Sequence, residues 1–237
     1  MSFADIGLLL VLISLVVISI LARMLTVTGA ISGGAAAICI YLGAGLWGVA
    51  MLGTFFLAGT LATRIGLRQK EAIGYADHDK GRRKASQVFA NGGLAALCGL
   101  LAYLFPQYKE MLVLIIAACF SSAIADTLSS ELGTLYGKNF YNIVSLKPDK
   151  RGENGVVSLE GLLIGIVGSF MIALIYAACY RTSYNAMTIV LAGTVGNLVD
   201  SIIGATWERR GVIKNDAVNF LNTLAASLAA LCFSYFF

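Results

Sequence analysis

The sequence predicts an all-α, polytopic membrane protein of about eight transmembrane helices, and three observations carry that expectation. Only 13% of the 237 residues are charged. Hydrophobic residues make up 58%, and the mean hydropathy is +0.82. An ordinary soluble domain carries about 25% charged residues, and a globule this poor in charge would expose large apolar patches to water. The apolar residues also fall in runs of about 18–22, the length at which a helix crosses a hydrocarbon core about 30 Å thick. Short alternating segments of the kind that build a membrane barrel are missing from the sequence. Soluble enzyme, nucleic-acid binder and disordered chain are disfavoured together. A single integral membrane domain covers residues 1–237.

The first run, about 4–22, lacks a basic leader and has Arg23 on its far side, so it reads as a retained span rather than a cleaved signal. The next two, about 27–43 and 46–64, are the least distinct, because they are parted only by Gly43-Ala44-Gly45 and the earlier one is short and glycine-rich. Five clearer runs follow at about 85–105, 111–132, 157–180, 186–206 and 217–236. Cys39, Cys98, Cys119, Cys179 and Cys232 all lie inside apolar stretches without metal-site spacing, so they read as small hydrophobes.

The loops set the orientation. Arg23, seven basic residues of the 64–84 loop, four of the 133–156 loop, and Arg209, Arg210 and Lys214 share one side, which collects 15 of the 17 basic residues. Lys109 and Arg181 stand on the other. The positive-inside rule places the crowded side in the cytoplasm, with both termini outside. A wrong span count would scatter the charges, so their partition supports eight.

Carboxylates inside apolar runs are costly and mark functional positions by default. Asp126 and Glu131 lie in Ala125-Asp126-Thr127-Leu128-Ser129-Ser130-Glu131-Leu132-Gly133, and Asp200 follows Gly196-Asn197-Leu198-Val199. Glu160 and Asp216 stand at the mouths of the sixth and eighth spans. All fall on the cytoplasmic half, with Asp126 roughly 10 Å from its helix end at 1.5 Å per residue. Helical spacing builds polar stripes from Asn197, Asp200/Ser201, Gly204 and Glu208, from Lys84, Gln87 and Asn91, and from Asp216, Asn219 and Asn222/Thr223. Asp126 shares a face with Ser130, and Glu131 with Thr127. Both acids reach one site only if the helix unwinds near Gly133 or another element approaches between them.

Asn, Ser and Thr serve equally well to glue helices together. An unpaired buried carboxylate is different, because it costs several kcal/mol and no span carries a basic residue near its middle. A bound cation would neutralise it. Carboxylate, amide and hydroxyl oxygens suit Mg²⁺, which commonly bridges to a substrate phosphate. The polar stretch from Lys147 to Ser158, with Gly152 and Gly155 bracketing Glu153-Asn154, fits a phosphate-wrapping loop and equally a solvated connector. Gly81-Arg82-Arg83-Lys84 reads the same two ways, and His78 between Asp77 and Asp79 reads as a solvated loop residue. Asp126-Thr127 and Asp200-Ser201 also place similar pairs near the ends of two spans that run in the same direction.

Several blocks bear a resemblance to a known family. They are Leu25-Thr26-Val27-Thr28-Gly29-Ala30, Thr63-Arg64-Ile65-Gly66 with Lys70, Arg82 through Gly93, Ala125-Asp126-Thr127 with Ser130-Glu131-Leu132-Gly133, Gly155-Val156-Val157-Ser158, and Asp200 through Thr206. In this order, along nearly the whole chain, the sequence resembles the membrane-protein family catalogued as domain of unknown function ninety-two, which includes the plant phytyl-phosphate kinase. The 145–153 loop departs from the family's short Pro-x-Gly-Thr-x-Gly turn, with Asp149-Lys150-Arg151 between Pro148 and Gly152 and no Thr after it. A looser likeness, carried by Asp200-Ser201 and the 208–216 segment, is to CTP-dependent phosphatidate cytidylyltransferases.

The resemblance implies phosphoryl transfer from a nucleoside triphosphate, CTP in related polyprenol kinases, to an isoprenoid (phytyl or polyprenyl) lipid monophosphate. Such transfer asks mainly for positioning and charge neutralisation. On that reading Asp126, Glu131 and Asp200 hold one or two Mg²⁺ ions, with Asn197 and Asp216 as further ligands. Gln87 and Asn91 orient phosphate oxygens, and Asn154 and Ser158 belong to the phosphate-facing loop. Lys84, Lys147, Arg151, Arg209 and Lys214 neutralise phosphate charge. The expected partners are nucleotide, lipid phosphate and bilayer, with no nucleic acid. The alternatives are an ion-coupled transporter with buried acids, or a CTP-dependent lipid cytidylyltransferase.

Overall fold

The computed structural model describes residues 3–72, 74, 82–180 and 183–236. His78, Asp77, Asp79, Lys80 and Arg181 fall outside the described residues. The chain forms α1 (Phe3–Leu21), α2 (Val27–Arg64), α3 (Leu67–Ala72), α4 (Ala85–Leu104), α5 (Lys109–Tyr136), α6 (Leu159–Tyr180), α7 (Ser183–Ile203) and α8 (Asn215–Phe233). Strands β1 (Tyr141–Asn142) and β2 (Val156–Val157) pair antiparallel, with Tyr141 opposite Val157, and close the loop between α5 and α6. Among the described residues, six helices are long and apolar enough to cross a membrane, and α1 adds a shorter apolar stretch over Val11–Leu21.

One of the six is two legs. A straight α2 of 38 residues would run about 57 Å at 1.5 Å per residue. Its far end instead returns to its start, where Arg64 Nη2 donates to the carbonyl of Ala22 at 2.7 Å. The reversal is at Gly45 (φ 65°, ψ −158°), a backbone state that favours glycine. A Cβ placed on Gly48 would lie 2.7 Å from Ile40 Cγ2, whereas residues eight apart on one straight helix stand about 12 Å apart. Each leg is therefore span-length, and the apolar legs number about eight. The two least distinct runs of the sequence are the arms of one hairpin.

Helix α5 is the axis of the bundle. Every residue from Leu112 to Ala125 is buried, as expected of a helix that is apolar on all faces, and α2, α4, α6, α7 and α8 pack around it. Small residues let backbones approach closely. Gly43 lies against Gly99, Gly133 against Gly161, and Gly193 against Ser121 and Ser169. Ser121 Oγ donates to the Ile189 carbonyl at 2.9 Å and Ser169 Oγ to the Ser121 carbonyl at 3.3 Å, which is the gluing role available to such residues. Because α5 runs unbroken to Tyr136, it carries both Asp126 and Glu131 to the end of the bundle where the basic connections gather.

Candidate functional site

At that end lies a cavity of about 430 Å³. Its floor is set by α5, with Asp126, Thr127, Ser130 and Glu131; α4 contributes Gln87 and Asn91, α7 contributes Asn197, Asp200 and Ser201, and α8 contributes Asn215 and Asn219. Thr63, Lys70, Arg82 and Arg83 close one side, and the 152–158 loop with Glu208 closes the other. Of the stripes expected on spans four, five, seven and eight, Gln87 and Asn91, Asp126 and Glu131, Asn197, Asp200, Ser201, Gly204 and Glu208, and Asn219 line this one cavity, whereas Lys84, Asp216, Asn222 and Thr223 do not. Asp126 and Glu131 both line the cavity although α5 stays helical past Gly133, and Arg83, from the segment leading into α4, lines it with them.

The Asp126 and Asp200 carboxyl groups meet within hydrogen-bond reach of each other. Asn222 Nδ2 donates to Asp200 Oδ2 at 3.4 Å, and Ser130 and Ser201 satisfy their hydroxyls on the helix backbone. Among the described residues, neither aspartate has an ion-pair partner. Glu131 is differently placed. Its carboxylate takes Lys70 Nζ at 2.5 Å and the Thr63 hydroxyl at 3.0 Å, and Lys70 is only 1% exposed. Helix α3 folds Lys70 under the bundle, so one basic residue of the 64–84 loop neutralises an acid that the spans alone leave unpaired.

Arg83 is the other residue whose place the sequence hides. Its backbone bridges the 24–26 segment, with its N–H donating to the Met24 carbonyl at 3.0 Å and its carbonyl accepting from Thr26 at 3.1 Å. That pairing turns the side chain inward. The guanidinium sits 5.0 Å from the centroid of the Phe55 ring, and a Cβ at Gly59 would come 2.5 Å from Nη2. Lys84 beside it is exposed, and the backbone N–H of Lys84 is accepted by Gln87 Oε1 at 2.9 Å. The Arg82–Gly93 block contained the signal, but nothing in it distinguishes an inward arginine from a solvated one.

Of the expected phosphate contacts, Gln87, Asn91, Asn154 and Ser158 line the cavity; Lys84, Lys147, Arg151, Arg209 and Lys214 do not. Two of the cations are occupied with structure. Arg209 donates to the Asn154 carbonyl at 2.7 Å and pairs with Asp149 at 2.8 Å, stapling the loop to the end of α7. Arg151 reaches the Leu135 carbonyl at 3.4 Å and lies 5.7 Å from the Phe140 ring centroid. Ser158 Oγ accepts from the Gly161 N–H at 3.1 Å and starts α6. Asp216 is not in the lining, and its neighbours Asn215 and Asn219 are. A π-helical turn at Gly204–Glu208 brings Glu208 to the wall; such turns are frequent at functional sites.

Among the described residues no group of three or more His, Cys, Asp or Glu side chains gathers as a metal-ligand set. Two facing carboxyls in a cavity that Asn197 also lines still fit Mg²⁺, which typically takes one or two carboxylates and completes its shell with water and substrate phosphate. Among the described residues the buried Asn91 Oδ1 has no hydrogen-bond partner, and it lies at the cavity.

Fold and cavity together define a helical integral membrane protein whose polar chemistry is gathered beneath one face of the bundle. Within that class the chain belongs to the family described as Integral membrane protein DUF92, whose model matches residues 10–227. It is 33% identical over 234 residues to Protein VTE6, chloroplastic, of Arabidopsis thaliana, covering 92% of this chain and 69% of the relative. It is 32% identical over 197 residues to an uncharacterized membrane protein of Synechocystis, covering 82% and 76%. A third relative, an uncharacterized membrane protein of Methanocaldococcus jannaschii, is 31% identical over 178 residues, covering 75% and 72%. No solved structure matches.

Proposed function

We propose that the protein transfers the γ-phosphoryl group of a nucleoside triphosphate, CTP by the family resemblance, to an isoprenoid lipid monophosphate at the cytoplasmic face of its membrane, with both termini outside. The observation that carries this reading is the facing pair Asp126 and Asp200 in a cavity walled by amides and arginines. Likeness to VTE6 over most of the chain supports a prenyl phosphate kinase of this kind. In the reaction an oxygen of the lipid phosphate bonds to the γ-phosphorus, the bond from that phosphorus to the β–γ bridging oxygen breaks, and the nucleoside diphosphate leaves with that electron pair. The attacking oxygen is already anionic, so no general base is needed, and positioning with charge neutralisation suffices.

Asp126, Asp200 and Asn197 would hold Mg²⁺, which when bound supplies neutralisation of the triphosphate oxygens. Asn91 and Asn219 orient phosphate oxygens, and Arg82 and Arg83 offer guanidinium forks suited to phosphate. A coupling-ion site of a transporter would lie near the midplane between inverted repeats; here the acids sit beneath the basic end of the bundle. The test is purified protein with CTP, Mg²⁺ and phytyl or geranylgeranyl monophosphate. CDP and the lipid diphosphate should appear, and Asp126→Asn or Asp200→Asn should abolish them while the protein still inserts. Near wild-type turnover in either variant would sink the assignment.

A further inference from the structure

A second cavity of about 170 Å³ opens among α1, both legs of α2 and α4. Its walls are apolar and small, with Leu12, Val16, Gly33, Leu52, Gly53 and Phe55 representative. Arg83 lines this cavity and the acidic one, and it alone among the described residues does so. The Arg83 side chain therefore stands at a neck between an oily compartment and a polar one. It stacks on Phe55 of the apolar wall at 5.0 Å. On the other side it lies near Asp126 and Glu131, yet it makes no ion pair among the described residues. A guanidinium so placed is arranged to receive an anion at the head of an apolar chain.

We propose that this pocket holds the isoprenoid chain of the acceptor and that Arg83 binds its phosphate at the neck, delivering it toward Asp126 and Asp200. The inference rests on the reading of the protein as a lipid-phosphate kinase and adds where the lipid sits. Glycines keep the pocket open. A Cβ on Gly53 meets no atom within 4 Å, and one on Gly33 meets only Leu25 Cδ1, at 4.0 Å. Leu15 on the rim is exposed on the outer surface of the bundle, so the rest of the chain continues into the bilayer.

The test separates lipid binding from catalysis. Protein in lipid nanodiscs, without nucleotide, is photolabelled with a diazirine-bearing geranylgeranyl monophosphate. Label should map to pocket residues of α1, α2 and α4, and Gly53→Leu or Gly33→Leu, each filling the pocket from a different wall, should lower it at least fivefold. Arg83→Gln should weaken labelling by the monophosphate but not by the matching uncharged alcohol. In turnover, Gly53→Leu should lower the preference for a twenty-carbon over a five-carbon acceptor about tenfold. Leu57→Phe, on the exposed face of the same leg, should leave that preference unchanged. Label confined to outward-facing residues, or indifferent to both glycine variants, overturns the pocket. Pocket labelling by a protein that phosphorylates no acceptor overturns the kinase reading and leaves the lipid-phosphate site standing.

Discussion

Lys70 donates to the Glu131 carboxylate and to the carbonyls of Ala62 and Thr63 at 2.7 and 3.3 Å, so all three ammonium protons are spoken for. Such a pair stabilises little over an apolar equivalent, but removing one partner strands the other and costs about 3–5 kcal/mol. Lys70→Met should therefore lower the thermal midpoint in detergent sharply, and adding Glu131→Met should restore much of it. Asp126 and Asp200 should behave in the opposite way. They face each other without a basic partner among the described residues, so Asn at either position should hold or raise the midpoint while abolishing turnover. These two acids were legible because a carboxylate in an apolar run has no cheap structural reason to be there. Lys70 and Arg83 were not, because a basic residue in a loop looks the same whether it is solvated or folded under. What decides the matter is α3 for one and the pairing of Arg83 with the 24–26 segment for the other, and both are tertiary.

Helix α2 shows what hydropathy can and cannot locate. The two apolar runs and the Gly43-Ala44-Gly45 break were visible; the direction in which the chain leaves the break depends on the positive φ of Gly45, which composition does not encode. A Cβ at Gly45 meets nothing within 4 Å, so Gly45→Ala should cost only the strain of a backbone region that side chains rarely enter, about 1–3 kcal/mol, read as a fall in thermal midpoint. The loop between α5 and α6 is held by Asp149, whose carboxyl lies below its ordinary range, first through the Lys150 backbone N–H and then through Arg209. A depressed carboxyl favours the pinned loop above its unfolded pKa of about 3.9 and loses that contribution as pH falls through the folded value. Carbon-13 titration of the Asp149 carboxyl should show a midpoint below the usual one, moving upward in Arg209→Gln. The expectation that Arg209 serves phosphate had no means of seeing this contact, since Asp149 is 60 residues away in sequence.

The whole molecule is asymmetric in charge, and the cavity opens beneath its crowded side, where Arg64, Arg151 and Arg209 also pin the connections through backbone carbonyls. The proposed orientation predicts that a C-terminal alkaline phosphatase fusion is active and the corresponding green fluorescent protein fusion dark; the reverse pair would turn the molecule over. Span positions and polarity came from length, hydropathy and loop charge, properties that act on the chain before it packs. The central place of α5 was not legible, because its apolar run looks like the others until five helices pack around it. The Gly45 reversal bears on biogenesis. Its two apolar arms meet without a hydrophilic connector, so nothing polar has to be carried across the bilayer when they insert, and the pair can leave the translocation channel as one body.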